Sequence, residues 1–590
     1  MTLAMTSTEG GSMHDLVIRN GRVIDGAETA AFTADIAVDG GKITAVGKID
    51  ARGRREIDAA GLIITPGWVD IHTHYDGQVT WDPYLAPSSW HGVTTVVMGN
   101  CGVGFAPVRP DRHEWLIELM EGVEDIPGAA LSEGITWNWE SFPEYLDSLD
   151  GQPRVIDVAT QVPHGAVRAY VMGERGARNE PATAQDIAEM SRIVGEGVAA
   201  GALGFSTSRT MLHLAKDGEP VPGTFAAEDE LLGIGRAMGA VGHGVFEMAS
   251  DMAPAEDEFK WMKAMSAETG VPVTYGLLQS PTKADNWVRM LALTEEARAE
   301  GAQITAQIAC RPTGMVLGWQ STVHPFIGRE SYRKLAPLPF AERIVHLRDP
   351  EVRARILAEP SKPMGAIGMI LTQGFDRMFR LEHASGLDYE PRAEDSIAAL
   401  AAATGRAPDE IVYDMLMEKD GSGYIYLPLL NYAEFNFDHI HEMMNHPNTV
   451  LSLSDGGAHC GVICDASFPT YMLTHWARDR VRGPRLSLEK VVSMQTRDTA
   501  RLYGLHDRGT IAPGMKADLN LIDYDKLEIM APEMAFDLPA QGRRLIQRAQ
   551  GYAATIVSGV VTFEAGEATG EMPGKLIRGP QHPPMAIAAE

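Results

Sequence analysis

Apolar positions along this chain recur in more than one rhythm, and each rhythm predicts a different kind of element. From Asp15 onward, DLVIRNGRVIDG and ADIAVDGGKITAVG are short β-rich runs broken at Asn-Gly, Asp-Gly and Gly-Gly, dipeptides that suit tight hairpin turns. The same texture returns near the other end, in GTIAPGMKADLNLIDYD and YAATIVSGVVTFEAGE. These runs predict one small β-domain built from both chain ends, over 15–65 and 506–572, with a flexible tail at 1–14 and a C-terminal tail at 573–590.

Between the two ends, unbroken apolar runs alternate with segments of helical period. The runs are WVDIHTH (68–74), VTTVVMG (93–99), RVIDVATQV (154–162), ALGFSTS (202–208), GVFEMAS (244–250), VPVTYGLLQ (271–279), AQITAQIAC (302–310) and TVLSLSD (449–455). Strands buried on both faces lose the polar alternation of a half-exposed sheet, so such runs mark a parallel sheet covered by helices. TAQDIAEMSRIVGEGVAA, DNWVRMLALTEEARAE and LSLEKVVSMQTRDTARLYG supply helical crossovers. Eight strands joined this way predict a (β/α)8 barrel of the TIM type over 66–505. The seventh connection, 311–448, far exceeds an ordinary βα loop, so it is expected to carry helices of its own, such as PEVRARILAEP, and to cap the barrel mouth.

Composition narrows the class. A chain of 590 residues with 45% hydrophobic and 22% charged residues is an ordinary globular protein, long enough for more than one structural unit. Its net charge of -28 disfavours nucleic acid or an anionic membrane as partner, since both would repel it. Four scattered cysteines do not make a disulfide framework, and the first residues lack a basic, then apolar, secretory signal. A cytoplasmic location is the expectation, with Met13 as a second possible start.

In a (β/α)8 barrel, chemistry collects at the C-terminal ends of the strands. His72 and His74 close the first strand, Cys101 follows the second in GNCG, Glu247 lies near the end of the fifth and Asp455 ends the eighth. A strand repeats every two residues, so His-x-His turns both imidazoles to one side. In isolation that motif reads first as two partly exposed loop histidines; ITPGWVD before it and LSLSDGGAH on another buried strand shift the balance towards a metal site. Glu247 is open between a ligand and a carboxylate that orients one, and Cys101 between a ligand and a small residue fitting a tight loop.

Together ITPGWVDIHTH, GNCG, SDGGAH and GTIAPGMKADLNLID resemble the amidohydrolase superfamily, in its N-acyl-D-amino-acid deacylase branch, over nearly the whole chain. The resemblance implies a barrel flanked by a β-sandwich, metal ligands at His72, His74, Cys101 and Asp455, and homo-oligomers. It implies hydrolysis of a linear amide, an N-acyl amino acid or related N-acyl amine, with Asp455 moving the proton. The chain also departs from that pattern: D-aminoacylases carry a histidine at the end of strands five and six, where Glu247 and Gln279 stand here, while His243 lies at the wrong end of strand five. No strand-four lysine of the hydantoinase kind is evident. One zinc ion rather than two is therefore expected.

Further candidates are substrate-facing. His164 and Arg168 follow the third strand and either face substrate or open a helix; Arg209 after the fourth could clamp a carboxylate; His459 and His475 lie beyond Asp455. Cys460 and Cys464 have no second pair to complete a zinc site and are expected in the core. GNCGVGF lacks GxGxxG spacing, which excludes a dinucleotide loop. Two competing readings share these residues: opening of a cyclic amide or lactone, and a metal-free scaffold descended from the fold.

Overall fold

The continuous apolar runs of the middle of the chain form eight parallel strands: β1 (Trp68–Asp70), β2 (Val93–Met98), β3 (Asp157–Thr160, resuming at Val162–Pro163), β4 (Gly204–Arg209), β5 (Val245–Ser250), β6 (Val273–Leu277), β7 (Ile304–Ile308) and β8 (Thr449–Leu451). This is a computed structural model, which describes residues 13–362 and 365–584. Each strand pairs with the next, from Trp68 opposite Val93 through Phe205 opposite Val162 to Ala306 opposite Thr449. The ring closes just beyond β1 and β8, where Thr73 bridges Gly456 in parallel. His74 N donates to Gly456 O at 2.8 Å and Asp455 N to His72 O at 3.1 Å. The fold is a (β/α)8 barrel with an appended β-domain.

Helices cover the strands for ordinary reasons. In Ala184–Ala200, Met190, Ile193, Val194, Gly197 and Val198 are buried at helical spacing, and Thr183 with Asp186 forms a reciprocal cap at its start. Each large side chain buried there contributes roughly 1.5–3 kcal/mol. The final predicted helix divides into Leu488–Gln495 and Arg497–Leu502, because Thr496 between them leaves helical geometry while its hydroxyl donates to Val492 O at 2.7 Å.

The β-rich ends meet in one nine-stranded sheet. Ile63–Pro66 lies between His14–Val23 and Leu519–Ile522, and Leu16, Ile36, Leu519 and Ile556 share its apolar core. His14 already belongs to this sheet, while residues 1–12 and 585–590 lie outside those described. Two departures stand out. Hairpins between 528 and 550 leave the sheet, and Leu545 N donates to Cys460 O. Residues 574–581 run against the barrel, with Leu576 bridged to Val158 and Gln581 to Leu505.

The insertion 311–448 holds a three-stranded antiparallel sheet (Gly314–Leu317, Phe379–Arg380, Ile425–Pro428) and helices including Pro350–Ala358. It has its own core around Trp319, Phe326, Val412 and Tyr413, which takes in Val462 and Ile463 from the loop after Asp455. Among the described residues no helix is long and apolar enough to cross a membrane.

Candidate active site

Closure of the barrel brings the histidines to the aspartate. Thr73 is held by Val97 O on one side and Gly456 on the other, so His72 and His74, flanking it, turn to the same side. His72 Nε2 lies 3.5 Å and His74 Nε2 3.6 Å from Asp455 Oδ1. Cys101 Sγ lies 3.3 Å from His72 Nε2, and one donor atom from each of His72, His74 and Cys101 falls within 4.8 Å of the others. Both histidines and Cys101 are buried.

The backbone is bent to make this possible. Cys101, Asp455 and His459 have φ of 55°, 49° and 50°, left-handed conformations that cost a non-glycine residue about 1 kcal/mol or more each. In GNCG, Gly102 packs so closely that a Cβ would lie 2.8 Å from Ser208 N.

Carboxylates surround the histidines. Glu247 Oε2 accepts Cys101 N at 3.1 Å and its Oε1 lies 3.9 Å from His72 Nδ1. Glu124 sits between His74 Nδ1, at 3.3 Å, and His459 Nε2, at 3.6 Å. His72 Nδ1 faces Gln307 Oε1 at 3.2 Å, a contact that leaves Nε2 free as a ligand atom. Burial pushes Glu247 up to about 8 and Asp70 and Asp76 to about 7. Burial also drives His72 down to about 4, and it acts against protonation of His74, but Glu124 and Asp455 outweigh it there and raise His74 to about 9. Burial works against ionised Asp455 as well; the close approach of His74 and the charges of His72 and His74 prevail and hold its carboxyl well below the usual range.

The residues present fit a divalent cation. His74 Nδ1, Glu124 Oε1 and Glu247 Oε1 are buried without a hydrogen-bond partner among the described residues. Imidazole, thiolate and carboxylate donors together match zinc chemistry, and the excess of buried carboxylates calls for positive charge.

Other expected site residues lie elsewhere. Of the two readings of Arg168, the substrate-facing one is corrected in favour of the helix His164–Met172: its guanidinium donates to both oxygens of Glu230, at 2.5 and 2.6 Å, and to Glu180 O. His164 is corrected with it, since its two ring nitrogens meet Thr207 Oγ1 and Glu230 Oε1, each at 2.8 Å. Arg209 is committed to Glu258 at 3.0 Å and to Ala226 O, so it is withdrawn as a carboxylate clamp. His459 does reach the cluster through Glu124, whereas His475 pairs with Glu390 at 3.2 Å. Gln279, at the end of β6, spends its amide on Ala284 O and Ala433 N, tying the insertion to the barrel.

Sequence reasoning missed Asp70 and Asp76, although DIHTHYD carries them at the same two-residue spacing as the histidines. It also missed Glu124, at the end of the helix His113–Glu124, for which no local signal exists, and His213, whose Nδ1 meets Ser208 Oγ at 3.0 Å past β4.

The chain is similar to known proteins. The chain is 26% identical to the N-acyl-D-aspartate deacylase of Alcaligenes xylosoxydans xylosoxydans, over 98% of this chain and 97% of that one. It is 25% identical to the D-aminoacylase of the same organism, over 95% and 97%. Its fold matches the crystal structure of the N-acyl-D-glutamate deacylase of Bordetella bronchiseptica, complexed with zinc and a phosphonate mimic of the tetrahedral intermediate, with a TM-score of 0.62 at 23% identity, covering 96% of this chain and 100% of that one. The amidohydrolase family pattern itself runs through residues 55–563, nearly the whole chain, and the chain belongs to the amidohydrolase family.

Proposed function

We propose that this amidohydrolase cleaves a linear N-acyl amide, of the N-acyl amino acid kind, and uses one zinc ion to do so. The observation that carries the reading is the approach of His72 Nε2 and His74 Nε2 to Asp455 Oδ1, with Cys101 Sγ alongside, at the point where the barrel closes. His72, His74, Cys101 and Asp455 would hold the ion. When bound, zinc supplies Lewis acidity that lowers the pKa of water and polarises a carbonyl.

The remaining chemistry belongs to the side chains. Asp455, held ionised, accepts the proton of the attacking water and returns it to the amine nitrogen as the C–N bond breaks. Gln307 fixes the ring of His72, and Glu124 faces His74 from behind. Glu247 holds the Cys101 backbone, which supports a role in orienting a ligand as well as one in binding the ion. His459, whose ring is 25% exposed, is the residue left to face substrate once Arg168 and Arg209 are withdrawn.

The named activities of the deacylase relatives make N-acyl-D-amino acids the first substrates to try. Purified protein should retain about one equivalent of metal and release a free amine and a carboxylic acid from such a substrate. A single ring-opened product from a cyclic amide, with linear amides untouched, would replace this reading with the cyclic one. Failure to take up zinc would favour the scaffold.

A further inference from the structure

Asn100, in GNCG, stands next to a proposed ligand and has no part in the chemistry above. Its Nδ2 donates to Thr73 O at 3.1 Å and to Val97 O at 3.0 Å, which uses both amide protons. Its Oδ1 accepts Gln161 Nε2 at 2.7 Å, and Gln161 Oε1 in turn accepts the Tyr503 hydroxyl at 3.3 Å. All four side chains, Thr73 included, are buried. The two carbonyl acceptors leave the Asn100 amide one orientation, and that orientation settles the Gln161 amide as well. A directional line of hydrogen bonds thus runs through the barrel interior. It starts at Tyr503, which ends the helix Arg497–Leu502 and packs with Val97, Ala159 and Val245, passes the break in β3 at Gln161, and ends on the segment that carries the histidines.

Thr73 is the residue between His72 and His74, and it is held at every polar atom. Its N and Oγ1 donate to Val97 O, at 3.1 and 2.9 Å, and its O accepts Asn100. The residue after Asn100 is Cys101. One side chain therefore fixes the backbone between two ligands while its own backbone delivers the third, and the 3.3 Å between Cys101 Sγ and His72 Nε2 spans that short bridge. Gly99 permits the close approach, since a Cβ on it would lie 2.5 Å from Gln161 O. Asparagine suits the place by its atoms: an ionised aspartate has no N–H to give, and a leucine of similar size would take these partners from Thr73 O and Gln161 Nε2.

We propose that Asn100 is a positioning residue of the metal site: its amide, steadied by Gln161 and Tyr503, sets Cys101 against the pair of His72 and His74. The proposal rests on the reading of those three residues as ligands. A ligand from β2 is then placed by the packed interior of the barrel and not by the loop that carries it.

The test is alkylation of Cys101 by iodoacetamide in the full chain after chelation, read peptide by peptide with mass spectrometry. In Asn100→Leu, Cys101 should react about tenfold or more faster than in the parent, because opening its loop no longer breaks the buried hydrogen bonds of the amide. Cys310, Cys460 and Cys464, buried like Cys101, should keep their parental rates. Gln161→Met leaves Asn100 in place and carries the test should Asn100→Leu fail to fold; the same selectivity is expected at a smaller factor. Zinc affinity in chelator competition should fall about tenfold in Asn100→Leu. Tyr275→Phe, which removes an equally buried hydroxyl bonded to Thr294 Oγ1, should leave both readouts at parental values. Equal acceleration of all four cysteines would make Asn100 an ordinary stabilising residue and overturn the proposal, as would an unchanged Cys101 rate or an unchanged zinc affinity. A parent that takes up no zinc would sink the hydrolase reading, and the selectivity of alkylation would still decide this one.

Discussion

Two buried histidine–carboxylate clusters sit at the C-terminal ends of barrel strands, and they differ in what they leave undone. After β3, both ring nitrogens of His164 are hydrogen-bonded and Arg168 grips Glu230 with both carboxylate oxygens. Between β1 and β8, His74 Nδ1, Glu124 Oε1 and Glu247 Oε1 find no hydrogen-bond partner among the described residues, and two imidazoles share one oxygen of Asp455 at 3.5 and 3.6 Å, long for hydrogen bonds. Burial exacts a penalty for polar groups in both places; the first cluster recovers it at every histidine and carboxylate atom and leaves Arg168 Nε alone unmet among the described residues, while the second leaves a histidine nitrogen and two carboxylate oxygens unmet. Residue types alone do not separate structure from chemistry here; incomplete pairing does.

That contrast can be broken in order of effect. The largest change is expected in Asp455→Ala, where kcat should fall roughly 100- to 10,000-fold while the melting transition stays cooperative. Steady-state kinetics showing near-parental kcat would remove Asp455 from the chemistry. In the other cluster, Glu230→Ala should leave Arg168 charged and unpaired, and urea titration should report a loss of about 3–5 kcal/mol. A large fall in kcat with unchanged stability would return His164 and Arg168 to the pocket.

Glu247→Gln should weaken zinc about 10- to 100-fold in chelator competition if the carboxylate binds or orients a ligand. An unchanged affinity would reduce it to a fastener of the Cys101 loop.

The smallest effect is pH dependence of the metal-free protein. Asp70 and Asp76 titrate near 7 and Glu247 near 8 when folded, far above their unfolded values, and His74 near 9 lies above the unfolded histidine value of 6.5. The folded state therefore binds more protons than the unfolded one between about pH 6.5 and 8. Stability should decline across that window, by up to about 1.4 kcal/mol per pH unit for each proton of difference. His72, held near 4, opposes this trend only below its unfolded value. Denaturant titrations at several pH values check the sign, and rising stability would show that these carboxylates are not buried as drawn. Added zinc should flatten the slope.

Much of this molecule was legible in its sequence because periodicity is local. Unbroken apolar runs gave the eight strands, and paired Gly-containing turns gave the β-rich ends. DIHTHYD was half read: its histidines stood out, while Asp70 and Asp76, in the same register, went unnoticed. Arg168 was read as open to substrate and Arg209 as a clamp because sequence places them near strand ends but does not show that Glu230 and Glu258 arrive from helices 62 and 49 residues away.

The sequence by itself determined which elements form and which end of each strand carries reactive side chains, since side-chain period and turn chemistry act over a few residues. Only the tertiary structure decided which of those side chains are spent on one another. Glu124, Glu230 and Gln307 come from two helices and a strand that meet other groups through long-range packing, and hydrogen-bond completion is a property of the assembled interior.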